Sequence, residues 1–250
     1  LAIGMKGGVE LARHSLLALA LPAAVVVGVA LLIPLVGFQV LRVVGRLPRA
    51  DAASIAAHYG SVSVVTFAVA SSYLASRSLP ADGYMTVFLA LLELPALLVG
   101  VFLARRGQGD VRWKALLHEV LAGKSIVLLG GGLLIGWLAG PQGIQPLDRV
   151  FFDLFKGMLA FFLLEMGLVA AGRLADLRRA GPFLVAFAIG MPICAGLLGV
   201  LTARVLDFSI GNSVLLATLY ASASNIAAPA AMRIAVPEAN PALSIGASLG

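Results

Sequence analysis

Two short runs of hydroxyl residues lie where hydroxyls are least expected. Tyr59-Gly60-Ser61-Val62-Ser63, followed by Thr66, and Tyr220-Ala221-Ser222-Ala223-Ser224, followed by Asn225, both sit inside long uncharged apolar stretches. Small and hydroxyl residues in such surroundings can simply let membrane helices pack closely. They can also bind a small ion where a helix is interrupted. An interruption frees backbone N–H groups, and the positive end of the restarted helix attracts an anion. Gly60 lets another backbone come near. Pro229 lacks an N–H and disfavours the α conformation at Ala228, and Ser224 or Asn225 could cap a restarted helix. The candidate substrate-binding residues are therefore Gly60, Ser61, Ser63, Thr66, Ser222, Ser224 and Asn225.

Two carboxylates add a second kind of chemistry. Glu93 stands before Leu94-Pro95 and Glu165 between Leu164 and Met166, each in an apolar run. Ionisable groups at membrane depth are costly and mark ion paths or buried ion pairs. Glu93 and Glu165 are thus candidates for an ion path, expected to face protein or a water-filled cavity. Asp153 and Lys156 lie near a helix entry, where side chains can snorkel to the interface. His58 precedes Ser61 by three residues, which puts both on one helix face. A Ser–His enzyme built on this pair is the reading from another class, but no orienting carboxylate lies near in sequence. The single cysteine, Cys194, offers neither a disulfide framework nor a metal cluster, and no nucleotide-binding loop occurs.

The elements that must position these residues follow from composition. Of the 250 residues 60% are apolar and 12% charged. Soluble domains carry about twice that share of charge. This balance excludes a soluble enzyme, a disordered tail and a nucleic-acid module, and predicts an all-α polytopic membrane protein. Residues 15–41, 52–76, 125–147, 180–203 and 208–232 are uncharged and long enough to cross a bilayer. Residues 84–104 and 151–172 are apolar runs with embedded charges, giving seven spans and a stub at each end. Assigning connections to alternate sides places eleven lysines and arginines on one side against four on the other. The positive-inside rule then makes the loops around 42–51, 105–114, 173–180 and 233–240 cytoplasmic, with the protein in the cell (inner) membrane.

The two serine runs stand 161 positions apart, five crossings from one another. Five is odd, so the second copy must be upside down relative to the first, the inverted repeat of secondary transporters. The expected organisation is a first repeat over residues 1–104, a connection over 105–118 and a second repeat over 119–250. Each repeat carries an interrupted helix. The parent protein would have ten helices, with parts of both ends lying beyond the sequence given. The glycine rows 130–136 and 196–199 have no counterpart in the repeat and read as helix packing.

At these residues the chain resembles the SbtA-type sodium-dependent bicarbonate permeases. The likeness is carried by Ser222-Ala223-Ser224-Asn225-Ile226-Ala227-Ala228-Pro229 with Arg233, and by Val236-Pro237-Glu238-Ala239-Asn240-Pro241. It continues through Ile245-Gly246-Ala247-Ser248, Gly60 to Thr66, and Glu93-Leu94-Pro95-Ala96-Leu97. Three places depart from the family pattern. Val64 and Val65 replace a Gly-Ser pair, Asn225 replaces an aspartate, and Ala227-Ala228 replace Ser-Gly. The resemblance implies sodium-coupled bicarbonate uptake, with no organic cofactor and no catalysis. It places sodium at Ser63, Thr66, Ser224 and Asn225. It also implies a homotrimer in membrane lipid and a cytoplasmic regulatory protein as partner. A sodium-coupled carrier of another small anion or carboxylate is the alternative within the same class.

Overall fold

A computed structural model describes residues 1–13, 16–106, 114, 118, 121–147, 149–172, 181–224, 227–240 and 243. Asn225, most of the 105–114 and 173–180 loops, and the Ile245 to Ser248 stretch lie outside them. No strand occurs among the described residues, as expected of a chain whose apolar runs must satisfy their own backbone in lipid. The helices are α1 (Ala2–Leu11), α2 (Leu16–Ala30), α3 (Leu32–Val43), α4 (Arg49–Gly60), α5 (Val64–Ser76), α6 (Met85–Glu93) and α7 (Pro95–Arg105). They continue with α8 (Lys124–Ile144), α9 (Leu154–Gly172), α10 (Pro182–Val205), α11 (Ile210–Ala221) and α12 (Ala227–Ala235). Among the described residues five stretches are long and apolar enough to span a membrane: Leu17–Val43, Arg49–Ser76, Met85–Arg105, Ile126–Leu147 and Pro182–Val205.

Prolines explain two of the boundaries. Pro34 cannot donate to Ala30, nor Pro95 to Leu91, and the ladder breaks at Leu31 and at Leu94. The backbone stays helical at both residues, so α2–α3 and α6–α7 are kinked rods.

The stretches differ in depth. Arg49–Ser76 is the most enclosed and Met85–Arg105 follows, while Leu17–Val43, Ile126–Leu147 and Pro182–Val205 turn most of their surface outward. The enclosed α4 is also among the least hydrophobic helices. It is built from Ala52, Ala53, Ser54, Ala56, Ala57 and Gly60, and every residue from Asp51 to Gly60 is buried. Membrane interiors gain little from apolar bulk, because lipid is equally apolar; small side chains allow the close packing that holds helices together. At Gly60 a Cβ would press on Ala96 and Pro34.

The same logic governs α1 and α8. Gly4 and Gly8 on one helix face Gly132 and Gly136 on the other, each pair four residues apart. A Cβ at Gly8 would run into the Leu133 carbonyl, and one at Gly136 into the Met5 carbonyl. Gly199 likewise lies against the Ala217 backbone where α10 meets α11. Gly130 has open space beside it. Neither carbonyl can move without moving its helix. Gly136→Val is therefore expected to cost about 3 kcal/mol, the upper end for overpacking, and to lower the thermal midpoint of the detergent-solubilised protein. Gly130→Val should leave that midpoint unchanged; equal midpoints for both variants would refute the close α1–α8 contact.

Candidate functional site

The helix α4 ends at Gly60, Ser61 and Ser63 are extended, and α5 begins at Val64. The helix α11 ends at Ala221, Ser222 is extended, and α12 begins at Ala227. Both α4 and α11 have twelve residues, and their ends fall at positions 161 apart. The connection before each helix has one non-glycine residue in the left-handed region, Arg46 (φ 51°) and Asp207 (φ 53°), at the same spacing.

The two departures from helix are bonded to one another. The Ser63 N–H donates to Ser222 Oγ at 3.0 Å. The Ser224 N–H donates to the His58 carbonyl at 3.0 Å. The hydroxyls are engaged as well. Ser222 Oγ donates to the Leu219 carbonyl at 2.8 Å, and Ser61 Oγ to the Glu93 carbonyl at 3.2 Å. Ser63 Oγ caps α5 by accepting from the Thr66 N–H at 3.2 Å, and Ser224 Oγ accepts from the Ala228 N–H at 3.3 Å at the start of α12.

A second pair of bonds ties the outer ends. Asp51 Oδ1, in the first turn of α4, accepts from the Asn240 N–H at 2.7 Å. Asn212 Oδ1, in the first turn of α11, accepts from the Asp82 N–H at 2.8 Å. Asn212 Nδ2 also donates to Asp82 Oδ2 at 2.6 Å and to the Tyr84 hydroxyl at 2.9 Å. Asp51 and Asn212 stand 161 positions apart too. The start of each segment thus lies beside the residues that follow the end of the other, so 49–76 and 210–235 run antiparallel and meet at their non-helical centres. The preceding tyrosines are held at matching positions. Tyr59 meets Phe187 edge-on at 5.2 Å between centroids, and the Tyr220 hydroxyl donates to the Val26 carbonyl at 2.6 Å.

The candidate residues are therefore partly gathered. Gly60, Ser61, Ser222 and Ser224 are buried at the crossing and Ser63 is half-buried beside them. Thr66 is exposed one turn into α5, and Asn225 lies outside the described residues. Glu93 is buried at the α6–α7 junction, joined to the crossing through Ser61. Glu165 is exposed on α9, which packs closely only against the π turn Arg149–Asp153 among the described residues.

The carbonyls of His58, Leu219 and Glu93 also belong to the crossing, and no side-chain pattern announces them. His58 is fully buried, and its Nδ1 donates to the Ser54 carbonyl at 2.7 Å. Ser61 Oγ is bonded to the Glu93 carbonyl and His58 Nδ1 to the Ser54 carbonyl, with no hydrogen bond between Ser61 and His58 among the described residues.

Neither serine run contains lysine or arginine. Positive potential must come from the N-termini of α5 and α12, each equivalent to about half an elementary charge. First-turn amides that helical bonding leaves over can hold a small anion there. The hydroxyl and carbonyl oxygens alongside suit a hard monovalent cation.

No individually curated protein matches the chain. The sequence pattern of one family matches it from residue 1 to residue 250, and with this extent of agreement the chain belongs to the Na+-dependent bicarbonate transporter superfamily.

Proposed function

We propose that this chain is a symporter that brings bicarbonate into the cell together with sodium, and that the crossing of residues 60–66 with 222–225 is its binding site. The observation that carries this reading is the reciprocal pair Ser63 N–H to Ser222 Oγ and Ser224 N–H to the His58 carbonyl. It brings two restarted helices to one place and leaves further first-turn amides of α5 and α12 to receive an anion. In this reading 49–76 and 210–235 are the interrupted helices of two inverted repeats. The shared 161-residue spacing of helix ends, left-handed residues and clamp side chains supports it.

Sodium is assigned to the oxygens of Ser63, Thr66, Ser224 and Asn225. The family gives sodium dependence, and electrostatics says what it achieves. A negative interior opposes anion entry by about 2.3 kcal/mol per 100 mV. One co-bound sodium cancels that term, and the inward sodium gradient supplies the drive. Glu93, beside the crossing, is assigned to the sodium path. The basic loops around 42–51, 105–114, 173–180 and 233–240 face the cytoplasm in this arrangement.

Assembly as a homotrimer is part of the same proposal. The outward apolar surface of α8 and α9 offers Trp137, Leu138, Phe161 and Leu168, and Glu165 stands exposed among such residues. A carboxylate facing acyl chains alone would be costly, and a neighbouring copy would shelter it.

Two measurements test the site. Hydrogen bonds to charged groups are worth about 1.5–3 kcal/mol, so removal of one is expected to slow transport about tenfold or more. Ser222→Ala with Ser224→Ala should therefore abolish most sodium-driven uptake of labelled bicarbonate into proteoliposomes. The folded protein should lose about 1–3 kcal/mol per hydroxyl, because the Ser63 and Ala228 amides each lose an acceptor, and its thermal midpoint separates that loss from the loss of transport. Undiminished uptake in that double variant would remove the serines from the site, whereas equal uptake in sodium and in potassium by the parent protein would remove sodium coupling. Asn225→Asp returns a carboxylate to the proposed cation site. Half-saturation by sodium should fall about tenfold, the equivalent of about 1.4 kcal/mol; an unchanged sodium dependence would exclude residue 225 from the cation's ligands.

A further inference from the structure

Away from the crossing, three arginines converge on one cavity. It has a volume of about 560 Å³ and is lined by Phe38, Gln39, Arg42, Val43, Arg49 and Arg106. The first four come from the end of α3, Arg49 opens α4, and Arg106 follows α7. The chain thus gathers three positive charges from three different elements, and among the described residues no carboxylate lines the space.

The arginines are held in different ways. Arg42 Nη1 donates to the Leu47 carbonyl at 2.6 Å, and Arg49 Nε donates to the Leu103 carbonyl at 2.7 Å. Each bond uses one N–H of a planar fork that carries five. Arg42 and Arg49 are thereby oriented while keeping donors for a ligand. Arg106 is exposed, one residue past α7. Among the described residues, the ion pairs Arg13–Glu10 and Arg105–Glu238 involve none of the three. The contrast with Arg105 is instructive. It adjoins Arg106 in sequence, yet it turns to Glu238 and the Ala235 carbonyl and so is already compensated.

The surroundings specify the ligand further. Val43 and Val44 are 71% and 65% exposed at the end of α3, continuing an outward apolar face that includes Val36. Val43 also lines the cavity, so its mouth opens beside surface that lipid would cover. An oriented cluster of guanidinium forks matches the oxygens of a phosphate group. Basic pockets at this level of a membrane helix bundle take the headgroups of anionic lipids.

We propose that the cavity formed by Arg42, Arg49 and Arg106 binds the phosphate of an anionic phospholipid, whose acyl chains lie along Val36, Val43 and Val44. The site is separate from the serine crossing and does not depend on what the crossing transports. Its ligand would tie α3, α4 and α7 together at one end, where the enclosed helix α4 begins.

The test uses the whole protein in nanodiscs of phosphatidylcholine with phosphatidylglycerol, and counts retained lipid by native mass spectrometry. The parent protein should retain phosphatidylglycerol in preference to phosphatidylcholine. An arginine at a membrane surface contributes about 1 kcal/mol to such binding, or about fivefold. Arg42→Gln with Arg106→Gln should therefore weaken retention about twenty-five-fold. Arg42→Lys with Arg106→Lys, which keeps both charges, should recover most of it and serves as the control for folding. Inorganic phosphate distinguishes the source of the ligand. If millimolar phosphate displaces the lipid and binds the lipid-free parent but not the glutamine variant, the cavity is a phosphate site filled from solution, and the phospholipid assignment is overturned. Equal retention of phosphatidylglycerol by the parent and the glutamine variant overturns the site itself.

Discussion

Inside a bilayer no water is available to a backbone that leaves the helix, and every such departure needs partners from the protein. That constraint organises this molecule. Two segments leave the helix in the middle of apolar sequence, and each supplies part of what the other lacks. The Ser63 amide finds the Ser222 hydroxyl, and the Ser224 amide finds the His58 carbonyl. Each of these amides is answered from the other segment. The enclosing helices follow from the need to bring them together. Alanine and glycine on α4 let α3 and α7 close around it, and the bulkier aliphatic residues are left to face lipid on the outer rods.

Much of this was legible in the residues. Low charge and long apolar runs dictated membrane helices. Tyr59-Gly60-Ser61-Val62-Ser63 and Tyr220-Ala221-Ser222-Ala223-Ser224 each stand where a helix ends, α4 at Gly60 and α11 at Ala221. Other parts were hidden for physical reasons. Asp51 and Asn212 play one role with different side chains, since accepting a single amide hydrogen bond needs only an oxygen, so residue identity did not reveal the match. Arg46 and Asp207 share a backbone conformation that glycine or asparagine would have advertised. The carbonyls of His58, Leu219 and Glu93 exist at every residue, and only geometry selects them. Glu165 is exposed on an outer helix, and its apolar neighbours in sequence do not announce which helices lie outside.

The serines of the crossing are more engaged than their composition suggests. Serines in a binding pocket are readily pictured as open donors. Here Ser61 and Ser222 spend their hydrogens on carbonyls, and Ser63 and Ser224 cap helices. In the proposed function the oxygen lone pairs are assigned to a cation and the first-turn amides to an anion, so the two kinds of ligand would draw on different groups at the same crossing. Such a division lets both be held together without competing for the same donors.

The clamps at the outer ends have a consequence for how the protein is made. Asp51 waits for Asn240 and Asp82 waits for Asn212, so each bond joins residues far apart along the chain. During synthesis residue 51 enters the membrane long before residue 240 leaves the ribosome. The first broken segment must therefore sit in the bilayer with its central amides unanswered until the second half arrives. Assembly is then a late, all-at-once event that joins the two halves. A chain stopped between residues 105 and 210 would already pack α3, α4 and α7 together and still lack the partner of the Ser63 amide, which makes it a natural substrate for membrane quality control.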